Sequence, residues 1–286
     1  MSTQITTAFS QQFSTNIQML SQQKGSLLRN AVSEESVTGE KAFFDQVGSA
    51  TAVKRTSRHA DTPLSDTPHS RRMVTMESYE YADLVDDPDK VSMLISPQNS
   101  YANAAAYAIG RSIDDAIITA ALGSSSTGKS GSTSVANSNS VTVGSPAAGL
   151  TIAKLVEANK IFQNGSVDPS IPRYIAVGPE QIEDLLNSTT VTSADFNSVK
   201  ALVQGDIDTF MGFKFIISTR LNVDGSDHRK VFAWVEDGIK LAMGRDLMTK
   251  IEPRADKSYS TQVYVCATFG ATRMEEAKVC EILCNE

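Results

Sequence analysis

The stretch GSSSTGKS, from Gly123 to Ser130, satisfies the phosphate-loop pattern G-x-x-x-x-G-K-[ST] letter for letter. In that motif backbone N–H groups cradle phosphates, the lysine (here Lys129) reaches the terminal ones, and the final hydroxyl (here Ser130) holds Mg²⁺. The chemistry needs a buried strand before the loop and a helix after it, with the positive end of the helix aimed at the phosphates. Both flanks differ from that requirement. The preceding residues place Tyr101, Ala105, Ala108, Ile109, Ile113, Ala116, Ile117 and Ala120 at helical spacing, and the following GSTSVANSNSVTVGSPAAG has no amphipathic pattern. The residues therefore read as a helix that ends at Gly123, followed by a flexible surface loop over 123–149. A nucleotide-binding hydrolase built on 123–130 remains the alternative from a different functional class.

Other reactive residue types lack partners at useful spacing. His59 and His69 sit in a polar segment and His228 in the turn DGSDHRK, with no H-E-x-x-H or H-x-H pattern. Cys266, Cys280 and Cys284 do not make a disulfide framework, so they read as buried, reduced thiols in a reducing compartment. No G-x-S-x-G elbow occurs, and no G-x-G-x-x-G follows a strand. Asp86-Asp87-Pro88-Asp89 lacks the spaced ligands of a calcium loop and reads as an Asp-Pro turn. The expectation is a protein that works through its surfaces, without catalytic residues, metal or cofactor.

The chain of 286 residues is long enough for one large domain or two moderate ones. With 26 basic and 33 acidic residues it carries −7, which argues against a broad cationic face for nucleic acid. The opening MSTQITTAFSQQF lacks the basic and apolar regions of a signal peptide, and Arg111, Asp114 and Asp115 interrupt the best candidate for a membrane span. No membrane association is expected.

Residues 9–28 carry Phe9, Phe13, Ile17, Leu20 and Leu27 at near-helical spacing, suggesting an N-terminal amphipathic helix. Residues 33–72 are polar and turn-rich, too long for an ordinary connection inside a compact domain. Within its second part, 48–72, Lys54, Arg55, Arg58, Arg71 and Arg72 stand against Asp61 and Asp66, five positive charges less two negative, a local +3. A solvated loop is one reading. The other is a basic arm ordered by an acidic neighbour, which makes these five the candidate inter-subunit contact residues.

Residues 73–85 read as β, and Ser96 and Pro97 suit the start of a long Ala-rich helix over 97–122. TIAKLVEANKIFQNG predicts a helix over 151–165, RYIAVGPEQIEDLL a strand, turn and helix, and GFKFIIS a buried strand. KVFAWVEDGIKLAMG has strands on either side of Glu-Asp-Gly, a hairpin signal. SYSTQVYVCATFGA alternates, with Tyr259, Val263, Val265, Ala267 and Phe269 on one face, and AKVCEIL closes the chain in β. Pairing 73–85 with these late strands makes the middle an insertion, an α+β chain of two lobes with the long helix across one sheet.

This order of parts resembles the major capsid proteins of tailed bacteriophages, the Hong Kong 97-type fold. The parts are the basic segment ending in HSRRMVTMESYEYADLVDD, the helix SPQNSYANAAAYAIGRSIDDAIITAALG, an α/β lobe, and the return to β in YSTQVYVCATFGATRMEEAKVCEIL. The resemblance covers nearly the whole chain and is most specific from Ser70 to Gly123. It implies an N-terminal arm (1–39), an extended β loop lying over a neighbour (40–75), a peripheral domain (76–149 and 246–286) with spine helix 97–122, and an axial α/β domain (150–245). It further implies hexamers and pentamers that tile an icosahedral head around double-stranded DNA without sequence-specific binding, and location in the virion after assembly in the host cytoplasm. Portal, scaffolding and decoration proteins are the implied partners. The shell of a bacterial nanocompartment is the alternative use of the same fold.

Overall fold

The computed structural model describes residues 21–59, 61–62, 64–85, 98–187 and 209–286. Most of the expected N-terminal helix, the Ser96–Pro97 helix start and the turn at 86–89 lie outside these residues. The described part of the first of these, 21–28, is not helical.

The chain divides into two compact units. One takes the residues before Leu27 with Ser78–Arg111 and Arg245–Ala267; the other takes Leu27–Glu77, Ser112–Gly244 and Thr268–Glu286.

In the second unit the central element is a five-stranded sheet in the order β13-β10-β7-β9-β8. Its strands are β7 (Arg173–Val177), β8 (Thr209–Phe210), β9 (Phe213–Ile217), β10 (His228–Val235) and β13 (Val279–Asn285). β10 is flanked on both sides, Trp234 standing opposite Tyr174 of β7 and Val279 of β13. Its two faces are covered as well as its two edges, since the consecutive residues Val231, Phe232, Ala233, Trp234 and Val235 are all fully buried, which is why the strand reads as an unbroken apolar run. Helices α2 (Ile152–Asn164) and α3 (Pro179–Asn187) bury Leu155, Ala158 and Phe162, and Ile182 and Leu185. Phe162 packs on Phe213 of β9 with ring centroids 6.1 Å apart. β9 is not buried throughout, since Lys214 and, at its end, Ile217 are exposed. On α2, Lys154 is fully buried, and its ammonium donates to the carbonyls of Ala148 at 2.5 Å and Leu283 at 2.6 Å, fastening β13. Burial lowers the pKa of that ammonium.

The expected hairpin at Glu-Asp-Gly does not form. Both edges of β10 are occupied, so after the single 3₁₀ turn Glu236–Gly238 the chain leaves for another sheet as β11 (Ile239–Pro253). There β11 pairs in parallel with β1 (Ser33–Ser36), Ser33 opposite Lys240. The closing strand β13 likewise belongs to the five-stranded sheet rather than beside residues 73–85.

β12 (Thr261–Arg273) lies between β11 and β4 (Glu77–Val85), which is the expected pairing of early and late β segments. Val263, Val265, Ala267 and Phe269 are buried on one face of β12 as the alternation requires. Tyr259 precedes the strand, 67% exposed and with φ +60, so it is not on that face.

Helix α1 (Gln98–Leu122) buries Ala105, Ile109, Ile113, Ile117, Ile118 and Ala121, a stripe at i, i+4 spacing. Its polar residues hold the incoming chain. Arg111 donates to Gln22 Oε1 and the Gln23 carbonyl, at 3.1 and 3.2 Å. Gly110 admits the chain at Gly25, where a Cβ would come within 2.6 Å of backbone. One turn on, Asp114 is fully buried and accepts from the backbone N–H groups of Leu27 and Leu28, both at 3.1 Å.

Trp234 completes this anchorage. It stacks between Tyr174 and Phe232, centroids 5.7 and 4.7 Å away, and its indole N–H donates to the Ala31 carbonyl at 2.8 Å. Trp234→Ala is expected to lower unfolding free energy by about 3–5 kcal/mol, read as a shifted denaturant midpoint by circular dichroism.

Candidate functional site

The segment with surface-working potential in the sequence is a long ribbon. β2 (Lys41–Val47) and β3 (His69–Thr75) pair antiparallel from Lys41–Thr75 to Val47–His69, and β3 continues the sheet to a small hairpin, β5 (Ser125–Thr127) and β6 (Thr133–Val135). Alternation along β3 decides what each arginine does. Arg72 shares the inward face with Val74, which clusters with Phe44, Met76, Ala242 and Met274. Arg71 points the other way.

Arg72 is 7% exposed. Its Nε donates to the Met274 carbonyl at 2.8 Å, and a terminal nitrogen reaches both Glu276 oxygens at 2.8 and 2.7 Å. Gln46 of β2 donates to the same Met274 carbonyl at 2.8 Å. On the far side of Glu276 lies Arg273, fully buried, with Nε 3.6 Å from a carboxylate oxygen. That distance is a charge contact rather than a hydrogen bond. The remaining nitrogens of Arg273 donate to the Ala121 and Gly123 carbonyls at 2.9 and 2.7 Å and to the Val135 carbonyl at 3.0 Å. One guanidinium therefore satisfies carbonyls at the C-terminal end of α1, where cations are favoured, and ties the β5–β6 hairpin to β12. Burial lowers the pKa of Arg273, and Glu276 opposes that shift.

Neither Arg273 nor Glu276 was singled out from sequence. A signal existed for Arg273: it continues the odd-numbered buried face of β12, where a basic residue has no place without acceptors. Glu276 gave none, being one of several charges in RMEEAK.

The five basic candidates thus separate. Arg71 forms a bidentate pair with Asp45 across the ribbon, at 2.5 and 3.0 Å, and lies 5.3 Å over the Phe43 ring. Arg72 is bound inside the subunit. Lys54, Arg55 and Arg58 are all exposed in the irregular stretch between the strands, where Arg55 reaches only the nearby Ser57 carbonyl at 2.9 Å. With Arg71 and Arg72 neutralised internally, the excess at the tip falls from +3 to three cations less Asp61 and Asp66, or +1. Apolar residues are displayed there too, Val53 at 63% and Leu64 at 100% exposure.

The phosphate-loop string forms the turn of the β5–β6 hairpin. Ser125–Thr127 pairs with Thr133–Val135, so a strand and not a helix follows Ser130, and the helix-dipole geometry that phosphate binding needs is missing. Nor is 123–149 a free loop. Besides the hairpin, Val141 is buried and donates to the Glu281 carbonyl at 2.9 Å, while Asn139 Nδ2 donates to the Glu276 carbonyl at 2.6 Å.

Of the histidines, His59 and His69 are exposed, and His228 places Nδ1 2.9 Å from Asp224 Oδ2. Hydrogen bonds from the His228 backbone and ring, and from the Ser226 N–H, hold the Asp224 carboxyl down at about 2. The three cysteines are buried, and burial pushes the thiols of Cys280 and Cys284 up to about 12. Among the described residues no cluster of three or more His, Cys, Asp or Glu could hold a metal, and no helix is long and apolar enough to cross a membrane.

Comparison with known proteins agrees with a surface-working chain. The family model for phage capsid protein matches residues 5–286, and the chain belongs to that family. It is a structural major capsid protein, a component of the virion shell. No curated protein matches. Among solved structures, the capsid of cyanophage P-SCSP1u superimposes with a TM-score of 0.72 at 16% identity, covering 99% of this chain and 95% of that one. The acidic stable capsid of Helicobacter pylori bacteriophage KHP30 gives 0.72 at 10% identity, covering 99% and 97%. The capsid of a native GTA particle gives 0.70 at 12%, covering 97% and 96%. At such identities the likeness is one of fold: a mixed α/β capsid fold with three helices and several sheets among the described residues.

Two outcomes follow from this geometry. Arg273→Leu removes one partner of a buried charge cluster and frees the helix-end carbonyls, so it should cost about 3–5 kcal/mol by chemical denaturation, whereas Lys129→Ala on the exposed turn should stay within about 0.5 kcal/mol. Because the folded pKa of Asp224 lies below its ordinary value of 3.8, its contribution is complete above that value and is lost as pH falls through about 2. A ¹³C titration should place its midpoint near 2, and Asp224→Asn should abolish that part of the acid dependence.

Proposed function

We propose that the chain assembles as hexamers and pentamers into an icosahedral head of Hong Kong 97 type enclosing double-stranded DNA. In this reading residues 40–75 are the extended loop that crosses a neighbouring subunit, and 1–39 form the N-terminal arm. Residues 76–149 and 246–286 make the peripheral domain around the spine helix α1. Residues 150–245 make the axial domain, and the last strand of the 246–286 segment, β13, pairs with its β10. Assembly takes place in the host cytoplasm, with portal, scaffolding and decoration proteins as partners, and the chain is not an enzyme. Its acidic balance keeps it from binding DNA tightly.

The carrying observation is the contrast within the ribbon. Its root is paired strand by strand and fixed to Met274 and Glu276, whereas residues 48–59, 61–62 and 64–68 between the strands have almost no regular structure. A tip whose described residues are almost all exposed, Val53 and Leu64 among them, fits burial against another copy. Each such side chain removed from water contributes about 1.5–3 kcal/mol, and in a shell that gain recurs at every subunit.

The tip and the root should therefore respond differently to mutation. Val53→Ser with Leu64→Ser, and separately Lys54→Glu with Arg55→Glu and Arg58→Glu, should leave subunit stability within about 0.5 kcal/mol but remove particles from sedimentation and negative-stain microscopy. Arg72→Glu should instead yield unstable subunit, because it sets two carboxylates together in a buried site. Normal particles from both tip variants would exclude the tip from assembly.

A further inference from the structure

The lysine of the phosphate-loop string has no role in the reading above, yet its setting is specific. Lys129 borders an open cavity of about 580 Å³, lined also by Asp45, His69, Arg71, Thr127 and Gly128. Arg71 and Asp45 neutralise one another there, and Lys129 is exposed with no anionic partner among the described residues. The cavity thus holds an uncompensated positive charge in a chain that carries −7.

The turn that presents Lys129 is tightly held. Gly128 has φ +91 and Gly131 φ +70, and a Cβ on Gly131 would stand 2.3 Å from Met73 Sδ, so the turn lies directly on β3. Thr127 Oγ1 donates to the Arg71 carbonyl at 2.7 Å, joining the same two strands by a side chain. A cation displayed from a fixed turn loses little entropy on binding, the condition under which one ion pair adds affinity and register.

We propose that this cavity is an acidic-segment receptor, and that its occupant is strand β4 of a second copy of the chain. This rests on the shell reading and deepens it. β4 carries Glu77, Glu80 and Asp83 over Glu77–Val85 with no basic residue, and it is the end strand of its sheet. Along it Ser78, Glu80, Ala82 and Leu84 are exposed, and the Tyr264 hydroxyl of β12 donates to the Glu80 carboxylate, which holds that charge in place on the extended backbone. Opposite charges at such a contact select the partner and fix its register more than they add to total affinity.

Charge reversal in assembling material tests the pair. Lys129→Glu should leave the subunit melting temperature unchanged and Glu80→Lys should lower it only slightly, through the lost Tyr264 hydrogen bond; each should sharply reduce particle yield by sedimentation, and the double variant should restore it. Lys129→Cys with Glu80→Cys should give intermolecular disulfide ladders on non-reducing gels of oxidised particles, with the native thiols buried out of reach. Wild-type yield from Lys129→Glu, no recovery in the double variant, or recovery only when Glu180 and Glu183 of α3 are reversed would overturn the proposal. Failure of the unmodified chain to form particles would count against the shell reading instead.

Discussion

A single carboxylate, Glu276, between two buried guanidiniums is the interaction on which the second unit's architecture converges. Arg72 brings the extended ribbon to it, and Arg273 brings the end of α1 and the β5–β6 hairpin. Removing two guanidiniums from water beside a partly exposed carboxylate is costly, and such a cluster adds less net stability than well-packed apolar side chains would. Its consequence is geometric. Each arginine has several donors in a rigid plane, and their carbonyl acceptors at Met274, Ala121, Gly123 and Val135 belong to different elements. A shift of β3 by one residue would turn Arg72 outward and bury Arg71, so the register of the ribbon is specified by charge as well as by the apolar cluster around Phe44.

This division of labour suits a subunit that must present the same shape many times. The root of the ribbon is bonded to the rest of its unit, while the described residues of the tip have neither strand partners nor core. In the proposed assembly an isolated chain gains little from ordering that tip, and its conformational entropy is lost only when a neighbour supplies the contacts. Modest contacts suffice because each is repeated around a closed shell. The anchoring of the entering chain follows a similar logic: Asp114 and Trp234 hold residues 27–31 by two backbone N–H groups and one carbonyl.

Much of this was legible in the sequence where one periodicity ran unbroken. The i, i+4 stripe on α1 and the apolar run of β10 gave their elements directly, and the order of parts led to the capsid resemblance. The hairpin signal at Glu236–Gly238 failed because a turn specifies reversal only if the edge of the first strand is vacant, and both edges of β10 were taken by strands distant in sequence. The glycines and serines at 123–149 looked like slack. One of them, Gly131, instead lets the hairpin lie against β3, a requirement set by Met73, far away in sequence. Arg71 and Arg72 counted equally as charge in the chain, and only the pleat of β3 separates a surface pair from a buried one. Glu276 was not legible, since its importance comes wholly from what surrounds it.

The central claim is that the ribbon has a subunit-autonomous root and a tip that gains order from neighbours. Hydrogen exchange measured on the same chain before and after assembly tests it most directly. Amides of 41–47 and 69–75 should be protected in both states, whereas those of 48–68 should exchange freely in the lone subunit and slow markedly in the particle. Equal exchange of 48–68 in the two states would contradict the account.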